Sequence, residues 1–483
     1  MANEQIPAYS PASAGAGSRP HRVLEKFSAL FSALVVREVL QAAFLIWLAR
    51  REMAGYGQVM LALGFGQILF QFADFGLNQH LVCQSSRRPA DLGGELWTVV
   101  FVKSLLLGLG GLVAWLFILT QDYGTSLSAI LLLLALGVGL ESLAGAFFTV
   151  CQFQERQHAE SRIRMAGAVA GFGFGLVALA LGLPLRIVAL YKLVESAINV
   201  AGGALAVRRR LRFPVCWPGG PALLATVRGG VVFALIGLVA IIYNKANLFF
   251  LQRAGGPAAV AQYSATWQIV DGVTGVFCGL LLGKTLFPLL ARLVTENFAE
   301  ATRLARETTR WLVLLAFVLM IGLAVERDRF IPLIYGGGYE NAVWMQRWLV
   351  IAIGLGFLNN HAAFLMISVN RPGVLLGFHL AGIAVNLVLC GVLIPAHPLA
   401  GAVAAILIAK AVVGLLTVGF CQFRFGLLQA RPLAQVLAAL AAGAILYRSL
   451  MGLGVRELSE GALLLPLLVL GGFWWKTRRR APA

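Results

Sequence analysis

Eleven charged residues lie within segments that are otherwise apolar, and their side chains are the best placed in this chain to do chemistry. Six are cations and five are anions: Arg37, Lys103, Lys192, Lys245, Lys284, Lys410, Glu38, Asp74, Glu141, Glu195 and Asp271. A charge at the centre of a membrane helix costs at least about 2.5–3.5 kcal/mol. Such charges persist where they line a polar cavity that binds ions or ligands, or where they pair with one another.

The two signs of charge are unevenly divided along the chain. Among the first six apolar segments three cations accompany four anions, whereas Lys245, Lys284 and Lys410 in the next six accompany only Asp271. Arg37 adds to this surplus of two positive charges if it reaches the same cavity. A cavity with surplus positive charge attracts an anion, and pyrophosphate is one candidate.

Pairing for folding is the alternative explanation of these charges. Lys192 and Glu195 are three residues apart, so they share a helix face and are expected to pair. Arg37 and Glu38 are adjacent and point about 100° apart on a helix. We therefore expect them not to form a simple pair, with one side chain facing a cavity and the other a neighbouring helix.

Membrane helices must position these side chains. Of 483 residues, 59% are hydrophobic and 12% are charged, and the mean hydropathy is +0.83, whereas about 25% of residues are charged in soluble domains. This composition predicts an all-α polytopic membrane protein. About 20 apolar residues cross a bilayer, and fourteen such spans are predicted: 27–49, 56–81, 93–119, 127–151, 163–182, 184–206, 229–252, 259–288, 310–328, 342–368, 372–395, 399–420, 432–449 and 459–475.

Loop charges predict that both termini are cytoplasmic. This orientation places about 24 Lys or Arg residues in cytoplasmic loops and tails, about 9 outside and 6 within spans. The run FWWK (473–476) is predicted to be an interfacial aromatic anchor before a basic tail. The segment 292–310 is predicted to be an amphipathic interfacial helix.

A weak internal repeat relates the two halves of the chain. The runs AGYGQVMLAL (54–63) and AAVAQYSATW (258–267) align at a shift of 204 residues, which maps spans 1–6 onto spans 7–12. Such repeats are parallel, because six helices return the chain to its starting side. The predicted organisation is a cytoplasmic tail (1–26), an N-terminal lobe (27–206), a cytoplasmic linker (207–228), a C-terminal lobe (229–420), two added helices (432–475) and a basic tail (476–483).

Several function classes are disfavoured. The net charge of +18 is explained by loop arginines, and no compact basic domain is visible, so nucleic-acid binding is not expected. No HExxH, GxSxG, Walker or CxxC arrangement occurs, so no metal site, cofactor or catalytic group is predicted. The six cysteines are expected to be small buried apolar residues rather than disulfides.

Several motifs resemble those of Wzx-type polysaccharide flippases. In RREMAGYGQVMLALGFGQILFQFADFGLNQHLV (50–82), Gly55-Tyr56-Gly57 matches the turn into a helix and Asp74-Phe75-Gly76 matches the end of that helix. Later matching segments are NKANLFFLQRAGGPAAVAQYSATWQIVDGV (244–273), TLFPLLARL (285–293) and HPLAGAVAAILIAKAVV (397–413). One departure is that Asn244-Lys245-Ala246-Asn247 replaces the R-x-D with which the second lobe of the family often begins.

The resemblance implies membership of the multidrug/oligosaccharidyl-lipid/polysaccharide (MOP) exporter superfamily. Its members have two six-helix lobes around a central cavity. The implied activity moves an undecaprenyl-pyrophosphate-linked oligosaccharide across the bacterial inner membrane by alternating access, without enzymatic chemistry. A glycan polymerase or export machinery is an implied partner. The expected pyrophosphate ligands are four cations: Arg37, Lys245, Lys284 and Lys410. Glu38 or Asp271 is expected to bind a proton or sodium ion that drives the return step.

Three alternatives remain open. A lipid II flippase of the same superfamily would carry a related substrate. A drug-cation antiporter would need surplus acid in its cavity, whereas the second half of this chain has surplus base. A membrane glycan polymerase or glycosyltransferase would need a large outer loop or a catalytic acidic cluster, and the sequence shows neither.

Overall fold

The computed structural model describes residues 20–87, 92–121, 123–154, 156–210, 219–452 and 456–480. Within these ranges, the side chains that lie outside the description are those of residues 20–34, 83–87, 210, 221–222, 232–233, 280, 284 and 478–480. Every regular element in the described ranges is helical. Helices suit these apolar segments because a helix pairs its own backbone N–H and C=O groups. The hydrocarbon of a membrane offers those groups no hydrogen-bond partners.

The chain divides into two compact units. Unit 1 comprises Met1–Leu48 and Leu61–Ile241. Its helices, some of which extend beyond these limits, are α1 (Pro20–Arg51), α2 (Met53–Asp74), α3 (Leu77–Arg87), α4 (Leu92–Leu119), α5 (Thr125–Phe153), α6 (Gln157–Ala180), α7 (Leu185–Val188), α8 (Leu190–Arg210) and the first part of α9 (Gly220–Phe277). Part of its apolar core joins α3, α4 and α5 through residues such as Leu81, Val99 and Phe147.

Unit 2 comprises Ala49–Met60 and Ile242–Ala483. After α9 come a π-helical segment (Cys278–Leu286), α10 (Phe287–Glu296), α11 (Phe298–Val325), α12 (Arg327–Tyr335), α13 (Glu340–Leu349), α14 (Ile351–Ser368), α15 (Pro372–Ala396), α16 (Pro398–Phe425), α17 (Ala430–Met451) and α18 (Arg456–Arg480). Residues 211–218 of the predicted linker lie outside the described residues. The predicted lobe boundaries stay predictions.

Twelve helices of the described chain are long and apolar enough to cross a membrane, against the fourteen predicted spans. The predicted span 27–49 lies in α1, where the side chains of residues 20–34 lie outside the description, so this span stays a prediction. The predicted spans 229–252 and 259–288 fall on one continuous candidate, Ala234–Glu296. Inside this candidate Gly256 adopts φ 67° and is followed by Pro257, so the helix axis is broken between the two predicted spans.

The segment 292–310 is not the single interfacial helix that its amphipathic pattern predicts. Asn297 leaves the helical conformation with φ −151° and separates α10 from α11. Its side chain accepts a hydrogen bond of 3.2 Å from the backbone N–H of Glu300 and so caps the start of α11. The second part of the segment therefore forms the first turns of a helix that continues into the predicted span 310–328.

Candidate functional site

Five charged side chains of unit 1 form one connected network: Arg37, Glu38, Glu141, Lys192 and Glu195. Arg37 Nε on α1 lies 2.9 Å from Glu195 Oε1 on α8, and Lys192 Nζ lies 2.8 Å from Glu195 Oε2. Lys192 Nζ also lies 3.1 Å from Glu141 Oε1 on α5, which accepts hydrogen bonds from two polar side chains of α8. The predicted pairing of Lys192 with Glu195 is confirmed.

The prediction that Arg37 and Glu38 would not pair is wrong. Arg37 Nη1 lies 2.9 Å from Glu38 Oε1 while its Nε contacts Glu195. The long guanidinium arm bridges the 100° between neighbouring helix positions, so the Cβ directions alone do not exclude the contact. The Glu38 side chain is 64% exposed and that of Arg37 is 26% exposed. With two cations and three carboxylates, the network has a net charge of −1.

A second network of unit 1 explains the Asp74-Phe75-Gly76 motif. Helix α2 ends at Asp74, and the next two residues have φ of 48° and 67°, which turns the chain into α3. Lys103 Nζ on α4 lies 2.6 Å from Asp74 Oδ1, and donates to Asn78 Oδ1 at 2.8 Å and to the carbonyl of Ser142 at 2.7 Å. Lys103 is completely buried. Its three donors are thus all used, and this charge is neutralised within unit 1.

The predicted cations of unit 2 are less completely neutralised. Lys245 Nζ on α9 lies 4.0 Å from Asp271 Oδ2, whose side chain is 46% exposed. Lys410 Nζ on α16 donates to Asn244 Oδ1 at 3.2 Å and interacts electrostatically with both Asp271 and Lys245. The structure therefore brings Lys245, Lys410 and Asp271 together around one partly exposed acid. Two lysines against one carboxylate leave a net charge of +1 in this cluster.

Aromatic side chains surround Lys410, and sequence reasoning missed them. The Lys410 ammonium lies 5.4 Å from the ring centroid of Tyr243 and 5.3 Å from that of Trp267, within cation–π range. Tyr263 stacks on Trp267 with ring centroids 5.9 Å apart. Tyr263, Trp267 and Asp271 are spaced four residues apart, so they share a face of α9. This four-residue spacing is the sequence pattern that could have identified the aromatic residues as neighbours of Asp271.

Three buried polar atoms in this aromatic group have no hydrogen-bond partner within the described part of the chain. They are Tyr243 Oη, Tyr263 Oη and Trp267 Nε1. A buried polar group without a partner costs about 1–3 kcal/mol. Each of these three groups can donate a hydrogen bond to a water molecule or a polar ligand beside Lys410. We call the three aromatic residues with Lys245, Lys410 and Asp271 the lysine cluster.

The departure from the R-x-D pattern has a structural explanation. Asn247 is completely buried. Its Nδ2 donates to the carbonyl of Ala402 at 2.9 Å, and its Oδ1 accepts from Asn386 Nδ2 at 3.1 Å and from Cys390 Sγ at 3.4 Å. A neutral amide satisfies these partners as donor and acceptor, which a carboxylate cannot do. Asn247 therefore joins α9, α15 and α16 next to the lysine cluster.

The remaining predicted ligands are placed as follows. Lys284 lies in the π-helical segment, and its side chain lies outside the described residues. Arg37 and Glu38 belong to unit 1, whereas the lysine cluster belongs to unit 2. The predicted roles of Arg37, Lys284 and Glu38 therefore stay predictions.

The Gly55-Tyr56-Gly57 motif belongs to a cluster in unit 2 that includes α12. The Tyr56 and Tyr335 rings lie 6.0 Å apart. Burial raises the pKa of Tyr335 to about 12, so its hydroxyl stays protonated and can donate at neutral pH. A Cβ atom at Gly57 would overlap the backbone carbonyl of Pro257 and lie 3.1 Å from the backbone nitrogen of Ala261. The glycine is therefore needed for close packing of α2 on α9.

We expect Gly57→Ala to lower the free energy of unfolding by about 1–3 kcal/mol, because the added methyl group meets rigid backbone atoms. Gly173→Ala is the matched control, since a Cβ there has no neighbour within 4 Å among the described residues. Denaturant unfolding of both purified variants in detergent measures the difference. Equal stability of Gly57→Ala and Gly173→Ala would contradict the proposed close packing.

Comparison with known proteins gives one family match. A model of the family described as polysaccharide biosynthesis protein matches residues 48–344, more than half of the chain. No curated protein sequence matches the chain significantly.

Several solved structures share the fold. The lipid II flippase MurJ, in an inward closed conformation, superimposes with a TM-score of 0.73 at 8% identity, over 93% of this chain and 99% of that chain. A multidrug resistance MATE family transporter of the MOP superfamily, in its inward-facing conformation, gives 0.64 at 13% identity over 81% and 94%. An outward-facing structure of such a transporter gives 0.51 at 14% identity over 84% and 95%. These likenesses show a MOP-type fold.

Proposed function

The chain belongs to the polysaccharide biosynthesis protein family, and from this premise we propose that it flips an undecaprenyl-pyrophosphate-linked oligosaccharide across the bacterial inner membrane. The observation that carries the proposal is the surplus positive charge of the lysine cluster, in which Lys245 and Lys410 share the half-exposed Asp271. The isoprenoid tail can stay in lipid. The charged head and the sugars need a polar path, because desolvating them costs too much.

The pyrophosphate is the part of the substrate that the cations bind. Lys245 and Lys410 are the main proposed ligands, because one partly exposed carboxylate cannot neutralise both. Lys284 is a further proposed ligand from the same unit. Arg37 is the fourth, and an anion at Arg37 would compete with the exposed Glu38 rather than with the buried Glu195.

The aromatic members of the lysine cluster are proposed to contact the sugar nearest the pyrophosphate. The hydroxyls of Tyr243 and Tyr263 and the indole N–H of Trp267 have no partner among the described residues, and they can bond sugar hydroxyls directly or through water. The Trp267 and Tyr263 rings also offer flat apolar faces. In this arrangement the lysines recognise the charge of the head group. The flat aromatic faces contact a sugar without strong preference for its identity.

We propose that ion coupling depends on competition between a carboxylate and the pyrophosphate for the same cation. Each proposed coupling acid is the exposed member of an ion pair with a proposed ligand: Glu38 with Arg37, and Asp271 with Lys245. After the substrate has left on the outer side, a proton or sodium ion binds the acid, and release of that ion to the cytoplasm restores the ion pair and completes the return step. Substrate and coupling ion then affect each other's affinity reciprocally.

We expect Asp271→Asn to remove the dependence of flipping on an ion gradient. The neutral amide cannot bind the ion, so a gradient that accelerates the wild type about fivefold or more should leave the variant unchanged. Asp328→Asn is the matched control, since Asp328 lies in α12, outside the candidate spans. The measurement compares export with and without an ionophore. A variant that still responds to the gradient would show that Asp271 is not the coupling acid.

Alternating access is the proposed transport cycle. MATE transporters with this fold have been solved in inward-facing and outward-facing conformations. We propose that unit 1 and unit 2 move relative to each other in the same way, with both termini in the cytoplasm. The protein is proposed to act as a transporter, not an enzyme, and to deliver its substrate to a glycan polymerase.

A deletion strain tests this function against its alternatives. We expect lipid-linked oligosaccharide to accumulate in the cytoplasmic leaflet, where a membrane-impermeant glycosidase cannot reach it. Accumulation of the unpolymerised glycan on the outer face would favour a polymerase. Accumulation of lipid II in the cytoplasmic leaflet would favour a lipid II flippase, and drug sensitivity with normal export would favour an antiporter.

A further inference from the structure

A polar cavity of unit 2 lies outside the lysine cluster. It has a volume of about 410 Å³ and lies between the first turns of α11, the connection from α16 to α17 and the end of α18. Among the described residues, its charged lining consists of Arg303, Arg306 and Arg310 with a single carboxylate, Glu307. Three cations against one anion give the cavity a net charge of +2.

Two of these arginines are held in place by the fold. Arg306 Nε donates to the carbonyl of Phe425 at 2.7 Å, which occupies one of the five N–H donors of the guanidinium. The Arg310 guanidinium lies 4.6 Å from the ring centroid of Trp474, which is itself buried on α18. Preorganised guanidinium groups lose little entropy when they bind the oxygen atoms of a phosphate.

A second cavity adjoins the first. Its volume is about 310 Å³, and Glu307 lines both. Apart from Glu307 and Thr308, its lining is apolar or aromatic and comes from the π-helical segment, α11 and the end of α18. Trp311 and Trp475 are its aromatic members, and Trp475 lies two residues before Thr477 of the polar cavity. The positively charged cavity thus lies next to an apolar one, with Glu307 in the lining of both.

We propose that this pair of cavities binds an anionic phospholipid, with its phosphate among the three arginines and an acyl chain in the apolar cavity. The chemistry fits an amphiphile, because charge complementarity selects a phosphate head and the apolar lining selects a hydrocarbon chain. The site lies on the side of the membrane that the loop charges predict to be cytoplasmic. Basic pockets between membrane helices on that side suit anionic lipid head groups.

The bound lipid is distinct from the transported substrate. None of the residues that line the two cavities belongs to the lysine cluster. Ends of α11 and α18 meet at the site, so an anionic lipid there ties the two C-terminal helices α17 and α18 to the rest of unit 2. The inference does not depend on the proposed function, because lipid binding needs no flipping.

Native mass spectrometry of the full-length chain in detergent tests the site. We expect more bound phosphatidylglycerol than phosphatidylcholine of equal chain length. Arg303→Ala should weaken phosphatidylglycerol binding about fivefold, and Arg303→Ala/Arg310→Ala about thirtyfold. Glu307→Gln should strengthen binding, because it removes the only carboxylate in the described lining. Arg292→Ala is the matched control, since Arg292 is exposed and pairs with Glu296 on α10.

Three results would overturn the site. The first is equal binding of the two lipids, and the second is unchanged binding by the arginine variants. The third is displacement of phosphatidylglycerol by equimolar undecaprenyl pyrophosphate, which would make the cavities part of the substrate path. Arg303 has an exposed side chain, so Arg303→Ala is expected to fold, and denaturant unfolding of the variant checks this.

Discussion

Export of lipid-linked oligosaccharide is expected to fall at least about 30-fold in the Lys245→Gln/Lys410→Gln variant. Loss of one charged partner from a desolvated contact costs about 2–5 kcal/mol, and each factor of ten corresponds to about 1.4 kcal/mol. Both lysines lie beside Asp271, so the substitution converts a cluster with surplus positive charge into one with surplus negative charge. A pyrophosphate head would then be repelled.

This variant is suited to separate binding from folding. Asp271 is 46% exposed, so it is not left as a buried unpaired charge when the lysines are removed. Lys476→Gln is the control, because it makes the same change in the exposed C-terminal part of α18. Export is measured as surface polysaccharide per molecule of folded protein in a deletion strain. Normal export by the double variant, or by Arg37→Ala/Lys245→Ala, would eliminate the proposed cation site.

The largest expected loss of stability is that of Lys103→Met. Lys103 is completely buried and its ammonium lies 2.6 Å from Asp74. Removing one partner of a buried ion pair costs about 3–5 kcal/mol, because the other charge remains desolvated without compensation. Denaturant unfolding in detergent, followed by tryptophan fluorescence, should show the loss.

A second substitution tests the cause of that loss. Replacing both partners, as in Lys103→Met/Asp74→Leu, should recover most of the stability, since no buried charge then remains. The exposed pair between Arg292 and Glu296 supplies a contrast, and Arg292→Gln should change stability little because water screens both charges. If Lys103→Met and Arg292→Gln had equal effects, the buried pair would not be important for stability.

The fold was largely predictable because its elements are long apolar segments. A span is recognised from its own residues, so the all-α polytopic class and the resemblance to polysaccharide flippases are both confirmed. The break at Asn297 was not predicted, because the amphipathic pattern continues across it. The break depends on the non-helical backbone conformation of Asn297 itself, which lets its side chain cap α11. The predicted number of fourteen spans is not confirmed.

The charged networks were predictable only where the partners are close in sequence. Lys192 and Glu195, three residues apart, pair as expected. Asp74 and Lys103 are separated by 29 residues and meet because α2 and α4 pack together, which no local spacing reveals. The pairing of Arg37 with Glu38 was not predicted, because Cβ directions alone do not account for the reach of the guanidinium.

The lysine cluster could be predicted from the sequence only in part. The charge surplus of the second half of the chain predicts Lys245, Lys410 and Asp271 as site residues, but it does not identify their aromatic neighbours. Tyr263, Trp267 and Asp271 have helical spacing on α9, but Lys410 reaches them from α16, so the cation–π contacts depend on tertiary packing. Composition therefore predicts the charge of the candidate site, and packing determines what surrounds that charge.

Flipping by the purified protein is the most direct test of the central claim. The full-length chain is reconstituted in proteoliposomes that contain labelled undecaprenyl-pyrophosphate-linked oligosaccharide, and a membrane-impermeant glycosidase reports which leaflet holds the glycan. We predict that the wild type equilibrates the substrate between leaflets and that Lys245→Gln/Lys410→Gln does so at least about 30-fold more slowly. Equal rates for the wild type, the variant and protein-free liposomes would contradict the account.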